Sequence, residues 1–287
     1  MMKTDTIFPV LRAALCIAWA AAFAGCAEQR TAARAEPLAA RSPAPQVVAE
    51  PREPTAILMR MATFLANTPR FNVTLHDKFD VLQESGQMIE FGETRQITVS
   101  RPNGLRVELE QSDGEKHVVL YDGKVITAFT PTLSVYAQAV APGGIDAAVT
   151  YFLRDLHMRL PLAALLLSRF PQEIRGRTEE IAYVEHTQVQ GMPAHHLAGR
   201  TETVDYQLWI AEGARPLPLR AVLTYKNAAG HPQFRADFVN WNLSPEIRND
   251  RFVFTPPQGA RKIAFVAQVP AFAVPGTAAP AAAGEQP

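Results

Sequence analysis

Seven histidines, two cysteines, scattered serines and several glycine turns are where reactive chemistry would have to reside in this 287-residue chain. His195 and His196 are adjacent, as are Glu185 and His186. On a strand, neighbouring side chains point to opposite faces, so neither pair chelates one ion without a bulge. The sequence has no HExxH pattern, no histidine pair at helical i, i+4 spacing and no carboxylate-rich calcium loop. Ser85, Ser112 and Ser134 sit in polar, turn-like contexts, and no GxSxG elbow raises a serine as nucleophile. Pro142-Gly143-Gly144 lacks the lysine and the preceding buried strand of a phosphate loop. Asp113-Gly114 and Asp122-Gly123 are accounted for by turns. The expectation is a protein without catalytic residues, metal or cofactor.

The cysteines point elsewhere. Cys16 and Cys26 both lie in the first 26 residues, which leaves no disulfide framework or thiolate metal site downstream. Lys3 and Arg12 precede an apolar stretch, Ala13 to Ala24, suited to the h-region of a secretion signal. Phe23-Ala24-Gly25-Cys26 resembles a bacterial lipobox, in which the cysteine is diacylated and becomes the new N-terminus. Phe23 stands where leucine is usual, and cleavage after Ala24 that leaves Cys26 a free thiol is the rival reading. By resemblance to other lipoproteins, Ala27 favours outer-membrane anchoring on the periplasmic side, and two acyl chains suffice to hold a protein there.

The chain divides by composition. Residues 1–25 read as a lipoprotein signal peptide and residues 26–54 as a tether, with eight alanines and five prolines over 27–54. Such a segment cannot bury enough surface to offset its chain entropy. As a coil it reaches roughly 30 Å. Residues 268–287, with seven alanines and four prolines, read as a second disordered tail. Between them, residues 55–267 read as a single folded domain. Lys and Arg total 28, as do Asp and Glu, and this balance argues against holding nucleic acid through phosphate neutralisation.

The body opens with a helix: Pro54 and Thr55 suit its start, and Ile57, Leu58, Met61, Phe64 and Leu65 form one stripe. After Phe71 the period becomes two. Phe71, Val73 and Leu75 alternate with polar residues, then Phe79 and Val81, Ile97 and Val99, and Leu105, Val107 and Leu109. A hairpin is expected at Tyr121-Asp122-Gly123-Lys124. Ala141-Pro142-Gly143-Gly144 stops the strand pattern, and Ile145, Val149, Phe152, Leu153 and Leu156 mark a helix, with a short second one over residues 161–167. Strands resume at residues 181–183 and continue through 194–200, 204–210, 219–225 and 234–243, with a last short strand at residues 252–254. The expected class is α+β: about ten strands in a strongly curved antiparallel sheet or unclosed barrel, with helices covering or plugging the concave face. Trp209 and Trp241 are expected to pack the sheet or its rim, and Arg106, Arg220 and Arg235 to form surface ion pairs.

Several motifs in order carry a resemblance. Arg101-Pro102-Asn103-Gly104-Leu105-Arg106-Val107, Tyr121-Asp122-Gly123-Lys124, Leu160-Pro161-Leu162-Ala163, Tyr206-Gln207-Leu208-Trp209-Ile210, Trp241-Asn242-Leu243-Ser244-Pro245 and Phe254-Thr255-Pro256-Pro257 resemble the family of predicted periplasmic proteins called domain of unknown function 2092. The resemblance covers about residues 55–265. It implies a fold like the LolA/LolB lipoprotein carriers, an unclosed antiparallel barrel with a helical lid over an apolar cavity, and implies no reaction.

Three functions remain in view. The first is non-catalytic binding of a lipid, acyl chain or other apolar ligand against a concave face built from Val107, Leu109, Val204, Tyr206, Leu208, Leu219, Ala221 and Leu223, with the leucines at 162 and 165–167 as lid or plug. The alternative is a structural or regulatory envelope protein with a filled barrel that binds another envelope protein. An envelope hydrolase, resting on convergence in space, is the third.

Overall fold

The computed structural model describes residues 53–158 and 160–265. The segments read as signal peptide, tether and tail, Cys26 among them, lie outside the described residues.

Helix α1 spans Pro54–Asn67. The Glu53 carboxylate caps it, accepting from the backbone N–H groups of Thr55 and Ala56, two donors that a helix start otherwise leaves unpaired. Ile57, Leu58, Met61 and Leu65 are buried along one stripe. The helix stops at Thr68, whose successor Pro69 disfavours helical geometry before it.

The remaining described residues build one sheet of 12 strands. In chain order these are β1 (Arg70–Leu82), β2 (Met88–Ser100), β3 (Gly104–Gln111), β4 (Lys116–Tyr121), β5 (Val125–Thr130), β6 (Val135–Val140), β7 (Glu180–Val189), β8 (Met192–Arg200), β9 (Val204–Ala211), β10 (Pro218–Tyr225), β11 (Gln233–Asn242) and β12 (Arg261–Ile263). Their order across the sheet is β12-β6-β5-β4-β3-β2-β1-β11-β10-β9-β8-β7. All neighbours run antiparallel except β12, which is parallel to β6. The outermost strands β12 and β7 do not pair, so the curved sheet stays open.

Register carries the alternation from strand to strand. Val73 stands opposite Ile97, Ile97 opposite Val107, and Val107 opposite Val119. This face is covered by α1, by α2 (Gly144–Arg154), by a 3-10 turn (Ala163–Leu166) and by α3 (Phe170–Arg177). Met61, Leu65, Ile145 and Phe152 join the strand residues in one core cluster. Each such side chain contributes about 1.5–3 kcal/mol on burial.

Two anchors place the helices. Tyr121 donates its hydroxyl hydrogen to Ala141 O at 2.9 Å and accepts from Gly144 N at 3.1 Å. Gly143 and Gly144 have φ of +113° and +82°, and a Cβ on Gly144 would lie 3.2 Å from Pro102 O, which explains the paired glycines at this turn. Arg101 donates to Thr68 O, Leu65 O and Leu166 O, so one cation satisfies the carbonyl ends of α1 and of the 3-10 turn.

Two expectations require correction. Residues 252–254 form no strand: a 3-10 turn at Asn249–Phe252 seats the Phe252 ring so close to Gly104 that a Cβ there would lie 2.5 Å from it. The apolar spacing records docking rather than pairing. The final strand among the described residues is instead the fully exposed Arg261–Ile263. Helix α3, where Phe170 is the one buried residue, was not expected at all.

Candidate functional site

The helices leave part of the concave face uncovered. There, a cleft of about 1160 Å³ opens to solvent. Its walls come from the far half of β1 (Phe79, Val81, Leu82), from Leu109 and Gln111 on β3, and from Val204, Tyr225 and Phe234 on β9, β10 and β11. Leu153, Met158, Leu160 and Pro161, from the end of α2 and the following segment, close the opposite side.

The candidate ligand residues divide into three groups. Leu109 and Val204 line the cleft. Val107, Tyr206 and Leu208 are buried in the main core, with Leu223 packed against it. The Tyr206 hydroxyl lies 2.9 Å from Thr178 Oγ1, just past α3, and the ring faces Gly199 across the ladder. Leu219 departs from the expected face. The β9–β10 register shifts between Pro218 and Arg220, and Leu219 packs with Val189 and Ala194 in a separate small cluster. A register irregularity breaks the period-two assignment there.

At the floor of the cleft lies a cluster that periodicity concealed. Asp77 on β1 stands opposite Glu93 on β2, and Arg95 stands opposite Leu75. Arg95 and Asp77 are 1% and 2% exposed. Arg95 Nη2 lies 3.2 Å from Asp77 Oδ2 and also donates to Glu93 Oε1. Nη1 donates to Pro161 O at 3.0 Å, and the guanidinium stands 5.8 Å from the Phe234 ring centre. Among the described residues, neither Asp77 oxygen accepts a hydrogen bond and Arg95 Nε donates none. Burial pushes the Asp77 carboxyl from 3.8 up to about 7; Arg95 opposes the shift, while the Glu93 charge and a hydrogen bond that the protonated carboxyl gives to Glu93 add to it. Glu93 and Arg95 reach the cleft wall, and Asp77 stands behind them. The signal was present in the sequence, since positions 77, 93 and 95 continue the apolar register of both strands with charged residues.

Elsewhere, several side chains singled out by the sequence pack against neighbours or pair on the sheet surface. His195 meets the Tyr183 hydroxyl at 3.4 Å, while its neighbour His196 stacks on Trp209 with ring centres 4.0 Å apart. Trp241 donates to Pro218 O and packs on Phe71 and Phe238. Arg106, Arg220 and Arg235 pair with Glu108, Asp237 and Asp80. Among the described residues no group of three or more His, Cys, Asp or Glu is placed to hold a metal ion. No helix there is long and apolar enough to cross a membrane.

The model of a family described as predicted periplasmic protein (DUF2092) matches residues 55–266. No curated protein matches the chain in sequence. Among solved structures, an uncharacterised conserved protein from Thermus thermophilus is similar at 12% identity and TM-score 0.43, over 73% of this chain and 97% of that one. The lipoprotein LppX of Mycobacterium tuberculosis matches at 12% identity and TM-score 0.43, over 68% of this chain and 97% of its own. A LolA superfamily protein from Nitrosomonas europaea matches at 11% identity and TM-score 0.37, over 69% and 96%.

Proposed function

The chain belongs to the family of predicted periplasmic proteins called DUF2092, and from that premise we propose that it is a non-catalytic envelope binding protein. Its open half-barrel takes up a lipid, acyl chain or other apolar ligand by reversible burial, with no covalent step. The observation that carries this reading is the cleft of about 1160 Å³, walled by Phe79, Leu109, Leu160, Val204 and Phe234. Ligand pockets of this type are mostly apolar, hold a few orienting polar groups, and commonly run to about 300–1,000 Å³. The volume therefore supports an extended ligand rather than a small one. The proposal includes attachment of the exported chain to the outer membrane through lipidated Cys26, which would hold the cleft near a source of apolar ligand.

The test is native mass spectrometry with lipid extraction on the full chain purified from a bacterial envelope. Stoichiometric lipid is the expected result; apo-protein that also ignores added long-chain amphiphiles would overturn the reading. Replacing Cys26 with Ala should release the chain from the membrane fraction, and full retention there would sink the anchor.

A second reading, recognition of another envelope protein, draws on β7. This 10-residue strand is outermost in the sheet, so among the described residues one side of its backbone has no neighbouring strand. Strand addition uses such an edge. Cross-linking from β7 to a single partner in the envelope would favour it.

A further inference from the structure

Above pH about 7, where Asp77 is ionised, the cluster at the floor of the cleft has an unbalanced charge. Three charged side chains line the cleft: Asp80, Glu93 and Arg95. Asp80 is matched by Arg235, which donates to both of its oxygens at 2.9 and 3.3 Å. The terminal nitrogens of Arg95 are already committed, and its Nε, which donates no bond among the described residues, is sealed from the cleft by burial. One of its terminal nitrogens goes to Pro161 O, and the other is shared between Asp77 and Glu93. Two carboxylates thus face one guanidinium, and among the described residues neither oxygen of the enclosed Asp77 accepts a hydrogen bond. A buried carboxylate short of donors is costly, and a group that brings positive charge and N–H donors relieves that cost. An anionic head would instead meet Glu93 with no uncommitted cation among the cleft-lining residues described here.

We infer that the cleft selects amphiphiles with a single cationic, hydrogen-bond-donating head, such as an alkylammonium, over anionic or neutral amphiphiles of equal chain length. This rests on the apolar-ligand reading above and adds the chemistry of the head. The chain lies along Phe79, Leu109, Val204 and Phe234, and the ammonium lies against Glu93, with Asp77 behind it reinforcing the field.

Calorimetric titration of the full chain at pH 8 with dodecylammonium, dodecanoate and dodecan-1-ol, each below micelle formation, tests it. Dodecylammonium should bind about tenfold or more tightly than the alcohol, and dodecanoate more weakly than either. Glu93→Gln should bring the ammonium-to-alcohol affinity ratio down to about one, whereas Glu93→Asp should keep most of it. Dodecan-1-ol binding accompanied by equal or tighter binding of dodecanoate would overturn this inference and leave the cleft reading intact. Binding of none of the three would overturn both.

Discussion

Gly199 on β8 stands directly across from Tyr206 on β9, and a Cβ at Gly199 would fall 2.1 Å from the Tyr206 ring. The ring occupies the space a side chain would need, and its hydroxyl reaches Thr178 at the end of α3. Burial holds the phenol above its ordinary pKa, partly offset by that hydrogen bond. Gly199→Ala should therefore cost ~2 kcal/mol of stability, because the ring must leave its place. Urea unfolding would measure it. In a Tyr206→Ala background the same substitution should cost far less, since the two changes share one contact.

The buried carboxyl at Asp77 predicts an unusual pH slope. Its folded pKa, about 7, lies above the ordinary 3.8, so between these values the native state holds a proton that the unfolded chain releases. Stability from this group is fully present below pH ~4 and is lost as the pH rises through ~7, amounting to a few kcal/mol. Asp77→Asn should flatten that stretch of the stability profile. An unchanged slope in the variant would refute the assignment.

Arg101 joins two helix ends through three carbonyls, and burial lowers the pKa of its guanidinium, with Asp146 opposing. Arg101→Ala leaves those carbonyls without a charged donor and should cost about 2–3 kcal/mol. Arg101→Lys, a single-point donor, should recover only part of that. Hydrogen exchange should show the C-terminal turn of α1 opening first in both variants.

The cleft and the sheet's second cluster separate binding from stability. Val204→Trp places a large ring in the cleft wall and should lower dodecan-1-ol affinity at least tenfold, while the melting temperature moves by only a few degrees. Leu219→Ala should do the reverse. Leu219 is 1% exposed and does not line the cleft, so the loss is ~2–5 kcal/mol of stability with ligand affinity retained.

Much of the architecture was legible because one physical signal, alternation with a single buried face, repeats through most of the strands. Helix α1 was legible for the same reason at period 3.6, and its boundaries follow from Glu53 and Pro69. Helix α3 escaped because it buries little beyond Phe170 and has Gly176 in its last turn. Strand β12 escaped because all three of its residues are exposed, and its place depends on pairing with β6. The cleft was legible in part: Leu109 and Val204 line it, yet which stretch of the apolar face stays uncovered is decided by where the helices end. Asp77, Glu93 and Arg95 were concealed because alternation counts apolar residues and passes over charged ones in the same register. Leu219 was misplaced because period-two counting assumes an unbroken ladder.

The position of β1 in the sheet has a kinetic consequence. Strands β2–β6 and β7–β11 each form a meander whose partners arrive in succession, whereas β1 joins the two halves through β11. At that seam, Gln233 N–H donates to an Asp80 oxygen across a separation of 153 residues. A chain threaded N-terminus first thus presents β1 with one ladder filled by β2 and the other vacant until β11 emerges. Closing so long a loop is slow, and a waiting strand edge is adhesive. The seam therefore sets how long an unpaired edge stays open, and substitutions that weaken the β1–β11 ladder should lower the yield of folded protein more than they lower the stability of molecules that have already folded.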